Sequence, residues 1–174
     1  DKLHIQATTD QLTGIFNRRV VFDALDEAME NANESQDREF TTIMFDIDFF
    51  KQVNDTYGHA GGDAVLISFA KLLESEITSP NIVGRIGGEE FLAILYLNQD
   101  QAAEFCKKLI IKINDNTVNF EGIDIKISSS GGVAFSSETN TSADLTNKAD
   151  ERLYEAKKSG RNRFKLIDSE LVGD

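Results

Sequence analysis

The sequence predicts an α+β domain built on a single, mostly antiparallel β-sheet that is flanked by helices, which we place on one side of the sheet. Short apolar runs rich in β-forming residues occur at 40–45 and on both sides of Gly87 and Gly88, and a Gly-Gly pair is typical of a tight hairpin turn. The longer segments between them carry apolar residues at helical spacing. Because 40% of the 174 residues are hydrophobic and only one is Pro, we expect one domain that is folded throughout.

Helices and strands follow one another along the chain. Residues 1–9 are interpreted as the end of a connecting helix, 10–168 as the domain and 169–174 as a C-terminal tail. Turn and capping residues at 10–17 precede the first helix of the domain. The predicted helices are 18–33, 64–77, 101–114 and 143–159, the last with Ser142 as a candidate cap. The predicted strands are 40–45, the two arms of the hairpin within 82–95, then 118–122, 123–136 and 163–167, with a bulge or close backbone approach at Gly131 and Gly132.

Charge and composition narrow the classes of partner. The formal net charge is −12, whereas nucleic-acid duplexes and anionic membranes attract positively charged proteins, so we expect no nucleic acid and no direct membrane contact. The charge does not exclude a nucleoside triphosphate, because metal ions and a few lysines can reverse the local field. Cys106 lies on an apolar helix face and is predicted to be a core residue. A chain without disulfides, signal peptide or transmembrane run suits the cytoplasm, although a missing N-terminal part could anchor the full-length protein to a membrane.

Acidic residues follow two of the predicted strands. Asp46 and Asp48 end the strand at 40–45 and share a face, while Glu89 and Glu90 follow the Gly-Gly turn directly. Laid side by side, the strands bring Asp46 near Glu89 and Glu90. Two unit charges about 4 Å apart repel by roughly 1 kcal/mol in water and about 4 kcal/mol at an effective dielectric of about 20. A divalent cation relieves this repulsion, and oxygen ligands favour Mg²⁺ or Mn²⁺. The alternative is an ordinary hairpin with a charged tip.

Several separated motifs resemble those of one family. GGEEF at 87–91, DIDFFKQVNDTYGHAGGD at 46–63 and ADERLYEAKKSGRNR at 149–163 are similar to motifs of the GGDEF family, and the likeness runs from about residue 8 to residue 166. Its members are diguanylate cyclases, which condense two GTP into cyclic di-GMP. The resemblance implies a ferredoxin-like core with an added hairpin, similar to the palm of nucleotide cyclases and polymerases. It also implies an N-terminal sensor or regulatory domain absent from this chain, and a homodimer, because one domain holds one GTP.

The resemblance implies a metal and catalytic set. Asp46, the backbone carbonyl of Ile47, Glu89 and Glu90 are expected to hold two Mg²⁺ or Mn²⁺ ions over the triphosphate. The 3′-hydroxyl of a second GTP then attacks the α-phosphorus and pyrophosphate leaves. Glu89 is the candidate for accepting the hydroxyl proton, with solvent as the alternative because a metal-bound carboxylate is a weak base. Glu89, Lys51 and Glu90 are the residues that we expect to be catalytic.

A second group is expected to bind the substrate. The chain reverses from a strand into a helix at Phe49 and Phe50, whose backbone N–H groups are candidates for holding phosphate oxygens, and Lys51 reaches the same phosphates. Guanine offers two N–H donors to a carboxylate and an edge that an amide completes, and the resemblance puts these roles on Asp63 and Asn54. The other substrate ligands that the resemblance implies are His59, Lys157 and Arg161.

In one place the chain departs from the family. Many diguanylate cyclases carry an inhibitory product site, RxxD, before GGDEF, where this chain has Thr78 and Asn81. Since the bidentate Arg and the acid are both missing, we expect no inhibitory product site there. The resemblance further implies that Asp10, Asn17 and Arg18 brace one another around the turn at 10–17.

Three other functions stay open. The first is a catalytically silent GTP-binding regulatory module that signals to a neighbouring domain; loss of an acid would favour it, but Asp46, Glu89 and Glu90 are all present. The second is an enzyme with a mixed or linear product; Asp63 argues for guanine at the base site. The third, a pure interaction domain, predicts that changing Glu89 has no effect.

Overall fold

The computed structural model describes residues 2–167 and 171–173. Its strands are β1 (Thr41–Ile47), β2 (Ile82–Gly87), β3 (Glu90–Leu95), β4 (Thr117–Phe120), β5 (Ile123–Lys126), β6 (Ser129–Phe135), β7 (Arg163–Lys165) and β8 (Leu171–Gly173). Its α-helices are α1 (Lys2–Thr8), α2 (Arg18–Glu34), α3 (Phe50–Glu76), α4 (Gln99–Asp115) and α5 (Ser142–Lys158). Among the described residues, no helix combines the length and the apolarity that crossing a membrane requires.

A six-stranded sheet in the order β2-β3-β1-β6-β7-β8 forms the centre of the described structure. Neighbouring strands are antiparallel at β2–β3, β3–β1, β1–β6 and β7–β8. β6 and β7 are parallel and are joined through α5, since a parallel pair needs a crossover connection. The prediction of a mostly antiparallel sheet is confirmed. β4 and β5 form a separate two-stranded hairpin.

Helices cover both faces of the sheet, so the expectation of helices on one side is wrong. On one face, α3 and α4 pack around Phe45, Phe69 and Cys106, and the prediction that Cys106 is a core residue is confirmed. On the other face, α2 and α5 pack around Leu25 and Met44. All seven residues of β1 are buried, as expected for a strand covered on both sides.

The β2–β3 hairpin turns at Gly88 and Glu89, one residue later than the predicted Gly-Gly turn, because Gly87 still belongs to β2. Gly87 has φ +151° and Gly88 has φ +50°, and a positive φ favours glycine because other residues are hindered by Cβ. Gly87 pairs with Glu90 after a shift in register that follows Arg85. The turn therefore leaves Glu89 at its tip and begins β3 at Glu90.

α3 begins earlier than the helix predicted at 64–77. It covers Phe50–Glu76, and Gly58 interrupts the helical backbone with φ 76° and ψ 175°. Between 50 and 63 only Val53, Gly61 and Gly62 are buried. The apolar stripe from which a helix is predicted is therefore missing in this part.

Two regions near the C-terminus differ from the predicted elements. The predicted strand at 123–136 divides into β5, which pairs with β4, and β6, which lies between β1 and β7. The predicted tail at 169–174 is not wholly a tail, because Leu171–Gly173 forms β8 and Val172 is buried. A segment of three residues is too short for periodicity to reveal, and 168–170 and 174 lie outside the described residues. The division into a connecting helix at 1–9 and a domain at 10–168 stays a prediction, although Lys2–Thr8 is helical.

Two glycines in β6 allow the close approach that was predicted. A Cβ added to Gly131 would lie 1.9 Å from Cδ1 of Phe164, and one added to Gly132 would lie 1.9 Å from the carbonyl oxygen of Ala149. The second contact is with the backbone of α5, so no side-chain rotation can relieve it. α5 thus packs directly on the main chain of β6, which sets its height above the sheet.

The turn before α2 is held by hydrogen bonds of its own and by contacts with the hairpin. Asp10 accepts hydrogen bonds from the N–H and hydroxyl of Thr13 at 2.9 and 2.7 Å, and it forms an ion pair with Arg85 at 3.2 Å. Arg18 donates to a carbonyl of β2 at 3.0 Å, while Asn17 caps α2. The expectation that Asp10, Asn17 and Arg18 brace one another is therefore wrong, because the two charged side chains reach across to β2.

Candidate metal and nucleotide site

Three acidic residues, Asp46, Glu89 and Glu90, lie near one another where β1 ends beside the hairpin. Asp46 lies directly opposite Glu90 in the antiparallel register of β1 and β3. The backbone N–H of Ile47 donates to the carbonyl of Glu89 at 3.3 Å. Directly opposite residues of an antiparallel pair have Cβ atoms about 4.5–5.5 Å apart. The structure therefore brings together the three acids that strand pairing predicted to be neighbours.

Lys157 of α5 lies against this cluster. Its Nζ is 2.9 Å from Oδ2 of Asp46, and the two side chains are 31% and 11% exposed. The resemblance implies that this lysine contacts the triphosphate, which stays a prediction; in the described structure, it forms an ion pair with Asp46. Lys157 thus contributes one positive charge beside three carboxylates.

Burial and repulsion raise the pKa of two of these carboxyl groups. Burial raises the pKa of Asp46, and the ion pair with Lys157 offsets this only in part. For Glu90, burial is again the largest cause of the raised pKa, followed by repulsion from Asp46 and Asp150. Added positive charge would stabilise both groups in the ionised form.

Asp150 is an acidic residue near the cluster that motif reasoning missed. It precedes Lys157 by seven residues, which is two helical turns, so both lie on the same face of α5. Burial raises the pKa of Asp150, and attraction to Lys157 offsets this rise only in part. The spacing of these residues is visible in the sequence, but the face of α5 that turns to β1 is decided by the contact with Gly132.

The donor set suits a hard divalent cation. Asp46, Glu89 and Glu90 offer oxygen ligands of the kind that Mg²⁺ and Mn²⁺ prefer. In the present rotamers, no three acidic, His or Cys side chains among the described residues converge closely enough to enclose an ion. Oδ2 of Asp46 pairs with Nζ of Lys157. The residues fit the metal by chemistry and by position along the strands.

Asp48 shares the α5 face with Asp46, but its oxygens are occupied. Ser130, which lies opposite Asp46 in the register, donates its hydroxyl to Oδ1 of Asp48 at 2.6 Å. Oδ2 accepts from the hydroxyl of Ser128 at 2.6 Å and from the backbone N–H of Asn162 at 3.0 Å. Both carboxylate oxygens of Asp48 therefore already accept hydrogen bonds from the protein and are not open to a metal ion.

The N-terminus of α3 follows β1 directly and lies next to the cluster formed by Asp46, Glu89 and Glu90. Phe49 has the left-handed backbone φ 56° and ψ 33°, and no described side chain caps the helix. The first N–H groups of a helix, here those from Phe50 onwards, lack partners within the helix and attract anions. Lys51 is exposed beside them, and the guanidinium of Arg161 stacks on the ring of Phe49 at 4.6 Å. The structure brings Phe49 and Arg161 into contact at this end of α3.

The polar residues that are expected to bind the guanine base lie on both sides of Gly58, where the helical backbone of α3 is interrupted. Asn54 is half-buried before Gly58, while His59 and Asp63 are exposed after it. Oδ1 of Asn54 is 1.9 Å from the position that a Cβ added to Gly62 would take. Asn54 therefore packs against the backbone next to Asp63. The two proposed readers of guanine are neighbours in space although they lie on different segments of the helix.

The residues that replace the inhibitory motif form a turn. The N–H of Asn81 donates to the carbonyl of Thr78 at 3.0 Å, and its side-chain oxygen accepts from the N–H of Tyr96 at 2.8 Å. Asn81 thus links the start of β2 to the end of β3. The absence of an inhibitory site at this turn stays a prediction.

Comparison with known sequences gives consistent matches. A family model described as "Diguanylate cyclase, GGDEF domain" matches residues 7–163. The diguanylate cyclase DgcS of Shewanella oneidensis is 36% identical over 170 residues, which cover 98% of this chain and 56% of that protein. Diguanylate cyclase A of Treponema denticola is 35% identical over 168 residues, covering 94% of this chain and 45% of that protein. The chain spans about half the length of these two relatives.

Solved structures show the same likeness. The diguanylate cyclase SiaD of Pseudomonas aeruginosa, in complex with its activator SiaC, has a TM-score of 0.88 and 34% identity, covering 95% of this chain and 64% of that chain. The coiled coil and GGDEF domain of DgcB from Caulobacter crescentus, in complex with c-di-GMP, has a TM-score of 0.88 and 28% identity, covering 95% of this chain and 88% of that chain.

Proposed function

The chain belongs to the GGDEF domain family, and we propose that it is a diguanylate cyclase, which condenses two GTP into cyclic di-GMP and releases two pyrophosphates. The observation that carries the proposal is the corner at which Asp46, Glu89 and Glu90 meet beside the uncapped N-terminus of α3. Burial and repulsion raise the pKa of Asp46 and of Glu90, which is typical of a site that receives positive charge. An anion-binding helix end beside such a cluster suits a metal-bound triphosphate.

The proposed metal ligands are Asp46, the backbone carbonyl of Ile47, Glu89 and Glu90, with two Mg²⁺ or Mn²⁺ ions per site. Bound ions would neutralise the charge that develops on the phosphates. Lys157, which pairs with Asp46 in the described structure, would add its own charge to that of the ions. The assignment of these metal ligands is supported by the excess of negative charge where Asp46, Glu89 and Glu90 face the single positive charge of Lys157.

The remaining residues would hold and orient GTP. The backbone N–H groups of Phe49 and Phe50 would bind phosphate oxygens, and Lys51 would stabilise charge on the leaving pyrophosphate. Asp63 would accept the two N–H donors of guanine while Asn54 completes its edge. The other proposed substrate ligands are His59, Lys157 and Arg161.

Catalysis is proposed to need a homodimer. Each domain holds one GTP, so two domains must face each other for the nucleotides to meet. The 3′-oxygen of one GTP forms a bond to the α-phosphorus of the other, the bond to pyrophosphate breaks, and the hydroxyl proton is lost to Glu89 or to solvent. A second, equivalent step closes the ring.

Product analysis tests this proposal. Concentrated protein is incubated with GTP and Mg²⁺, and the nucleotides are separated by chromatography. We expect cyclic di-GMP from the parent and from Glu104→Ala, an exposed glutamate of α4, and none from Glu89→Ala. Equal product from Glu89→Ala and the parent would contradict the assignment of the metal site.

Other outcomes identify the alternatives. GTP binding without product would indicate the silent regulatory module, or a dimer that does not form; repeating the assay with a fused dimerising helix separates these two. A linear or mixed dinucleotide would indicate the second alternative, and competition between GTP and ATP tests the base preference assigned to Asp63. A parent protein that binds no nucleotide, and in which Glu89→Ala changes nothing, would indicate the pure interaction domain.

We also propose how the domain is regulated and where in the cell it acts. Because the relatives are about twice as long, we propose that a sensor or regulatory domain acts on this one through α1. We propose a cytoplasmic location, where GTP is available. With Thr78 and Asn81 in place of the Arg and the acid, we expect no product inhibition through that turn.

A further inference from the structure

Asp48 connects three separate segments of the chain. Its carboxylate accepts hydrogen bonds from Ser128 and Ser130, which lie before and within β6, and from the backbone N–H of Asn162 after α5. Its own backbone N–H donates to the carbonyl of Ser128 at 2.9 Å. Asp48 is only 4% exposed, so these bonds are shielded from water. The three side-chain contacts are charge-assisted, which makes them stronger than bonds between neutral groups.

The segments on both sides of Asp48 have unusual backbone conformations. Phe49 has φ +56°, Arg161 has φ +62° and Asn162 has φ +51°. Non-glycine residues rarely adopt positive φ because Cβ approaches the backbone, and such conformations persist where surrounding contacts hold them. Asp48 is covalently joined to the first of these segments and hydrogen-bonded to the second. It is the carboxylate that links both.

The same two segments carry the proposed phosphate ligands. Phe49 precedes the uncapped N–H groups of α3, and the guanidinium of Arg161 lies 4.6 Å from the ring centre of Phe49. A cation over an aromatic ring gains only a modest energy when it is near solvent, and Phe49 is 53% exposed. The stacking contact therefore depends on a firmer link between the segments, which the buried carboxylate of Asp48 provides.

We propose that Asp48 is a positioning residue that holds the N-terminus of α3 and the turn with Arg161 in one fixed arrangement for binding phosphates. The inference rests on the proposed function, since it concerns the same nucleotide site. Asp48 acts through Phe49 and Asn162 and touches no reacting atom. Preorganised backbone donors bind an anion without the cost of ordering them, so loosening the two segments weakens binding.

Substitution of Asp48 tests the proposal against a purely structural role. Asp48→Ala removes all three acceptor contacts, and Asp48→Asn retains the shape while replacing one acceptor oxygen by a donor. The matched control is Glu138→Ala, because Glu138 likewise accepts three hydrogen bonds, from Arg152 twice and from the N–H of Phe135, but lies beyond the far end of β6. Both alanine variants lose stability, so only a site-specific readout separates them.

Two measurements supply that readout at a temperature at which every variant is folded by circular dichroism. The first is titration with a non-reacting GTP analogue that has a methylene group between the α- and β-phosphorus, in the presence of Mg²⁺. We expect affinity to fall at least about tenfold in Asp48→Ala, less in Asp48→Asn, and not in Glu138→Ala. The second is amide NMR of the free proteins, in which signals from 49–51 and 160–162 should shift in the Asp48 variants alone.

The outcomes separate this inference from the proposed function. Parent-like affinity in a folded Asp48 variant would overturn the inference and leave the cyclase proposal intact. Failure of the parent itself to bind the analogue would overturn the proposed function, while the NMR comparison still decides whether Asp48 fixes the two segments. If Asp48→Ala does not fold, Asp48→Asn and Ser128→Ala, which each remove part of the network, decide the question in the same two assays.

Discussion

A single added methyl group at Gly62 is expected to disable the proposed base-reading position without unfolding the protein. In Gly62→Ala, Cβ would lie 1.9 Å from Oδ1 and 3.0 Å from Cγ of Asn54, and 3.3 Å from Cζ of Phe50. Non-bonded heavy atoms have their optimal separation near about 3.5 Å. The amide of Asn54 must therefore withdraw by more than about 1 Å or adopt another rotamer. It can do so because it is the end of a flexible side chain.

The magnitudes favour a loss of binding over a loss of stability. Alanine stabilises a helix interior relative to glycine by about 1 kcal/mol. A side chain forced from its rotamer costs about 0.5–1.5 kcal/mol. These effects nearly cancel, so the free energy of unfolding should change by less than about 1 kcal/mol. Loss of one hydrogen bond to guanine costs about 0.5–1.5 kcal/mol, which corresponds to about 2- to 13-fold weaker binding of GTP.

Thermal denaturation and titration with the same non-reacting GTP analogue measure both quantities. Gly61→Ala is the matched control, since its Cβ would lie 2.4 Å from Cβ of Tyr57, close to the main chain and away from Asn54. We expect Gly61→Ala to lower the melting temperature more than Gly62→Ala does. Unchanged affinity of Gly62→Ala for the analogue would refute the assignment of Asn54 as a reader of guanine.

Two further predictions concern pH. Burial raises the pKa of Glu138, but hydrogen bonds from Arg152 outweigh this and lower the pKa below the usual 4.5. The pair therefore stabilises the fold above about pH 4.5, and this is lost as the pH falls through the lowered value; Glu138→Gln should reduce the free energy of unfolding by about 2–3 kcal/mol at pH 7 and by less in acid, as measured by urea denaturation. Lys157 lowers the pKa of Asp46 and of Glu90, so Lys157→Met should raise both further. Since a carboxylate must be ionised to bind a cation, the acidic limb of Mn²⁺ binding, followed by electron paramagnetic resonance, should move to higher pH.

Controls make these two predictions decisive. Lys158→Met alters the exposed neighbour, which lies over the ring of Tyr154, and should leave the pH dependence of Mn²⁺ binding unchanged. A Lys157→Met protein with the parent's pH midpoint would show that the ion pair does not influence the cluster. For Glu138→Gln, a difference from the parent that stays constant over the whole pH range would contradict the lowered pKa.

Local chemistry made the hairpin and its acids predictable. The Gly-Gly pair identified the turn, and two apolar runs ending in acids placed Asp46 beside Glu89 and Glu90. The two-sided burial of β1 was harder to predict, because Thr41 and Thr42 suggest contact with solvent. Their hydroxyls instead donate to backbone carbonyls at 2.9 and 2.8 Å, which satisfies them inside the core.

Contacts between distant segments were beyond prediction from sequence. Spacing places Asp48 on the same face as Asp46, but it cannot show that Ser128 and the N–H of Asn162 occupy the oxygens of Asp48. Asp150 was missed because the face that α5 turns to the sheet depends on packing against Gly132. Helical periodicity defines an apolar face, but the polar residues at its margin are assigned only once the helix is docked.

The hydrogen bond from Asn162 to Asp48 joins residues that are 114 positions apart. During synthesis, the acids of β1 leave the ribosome long before α5 and the turn that follows it. Contacts of such sequence separation form late, because a long loop must close first. A nascent or truncated chain that lacks α5 therefore carries the acids without Lys157, Arg161 or the anchor at Asn162. For the proposed cyclase, nucleotide binding would therefore require the finished fold.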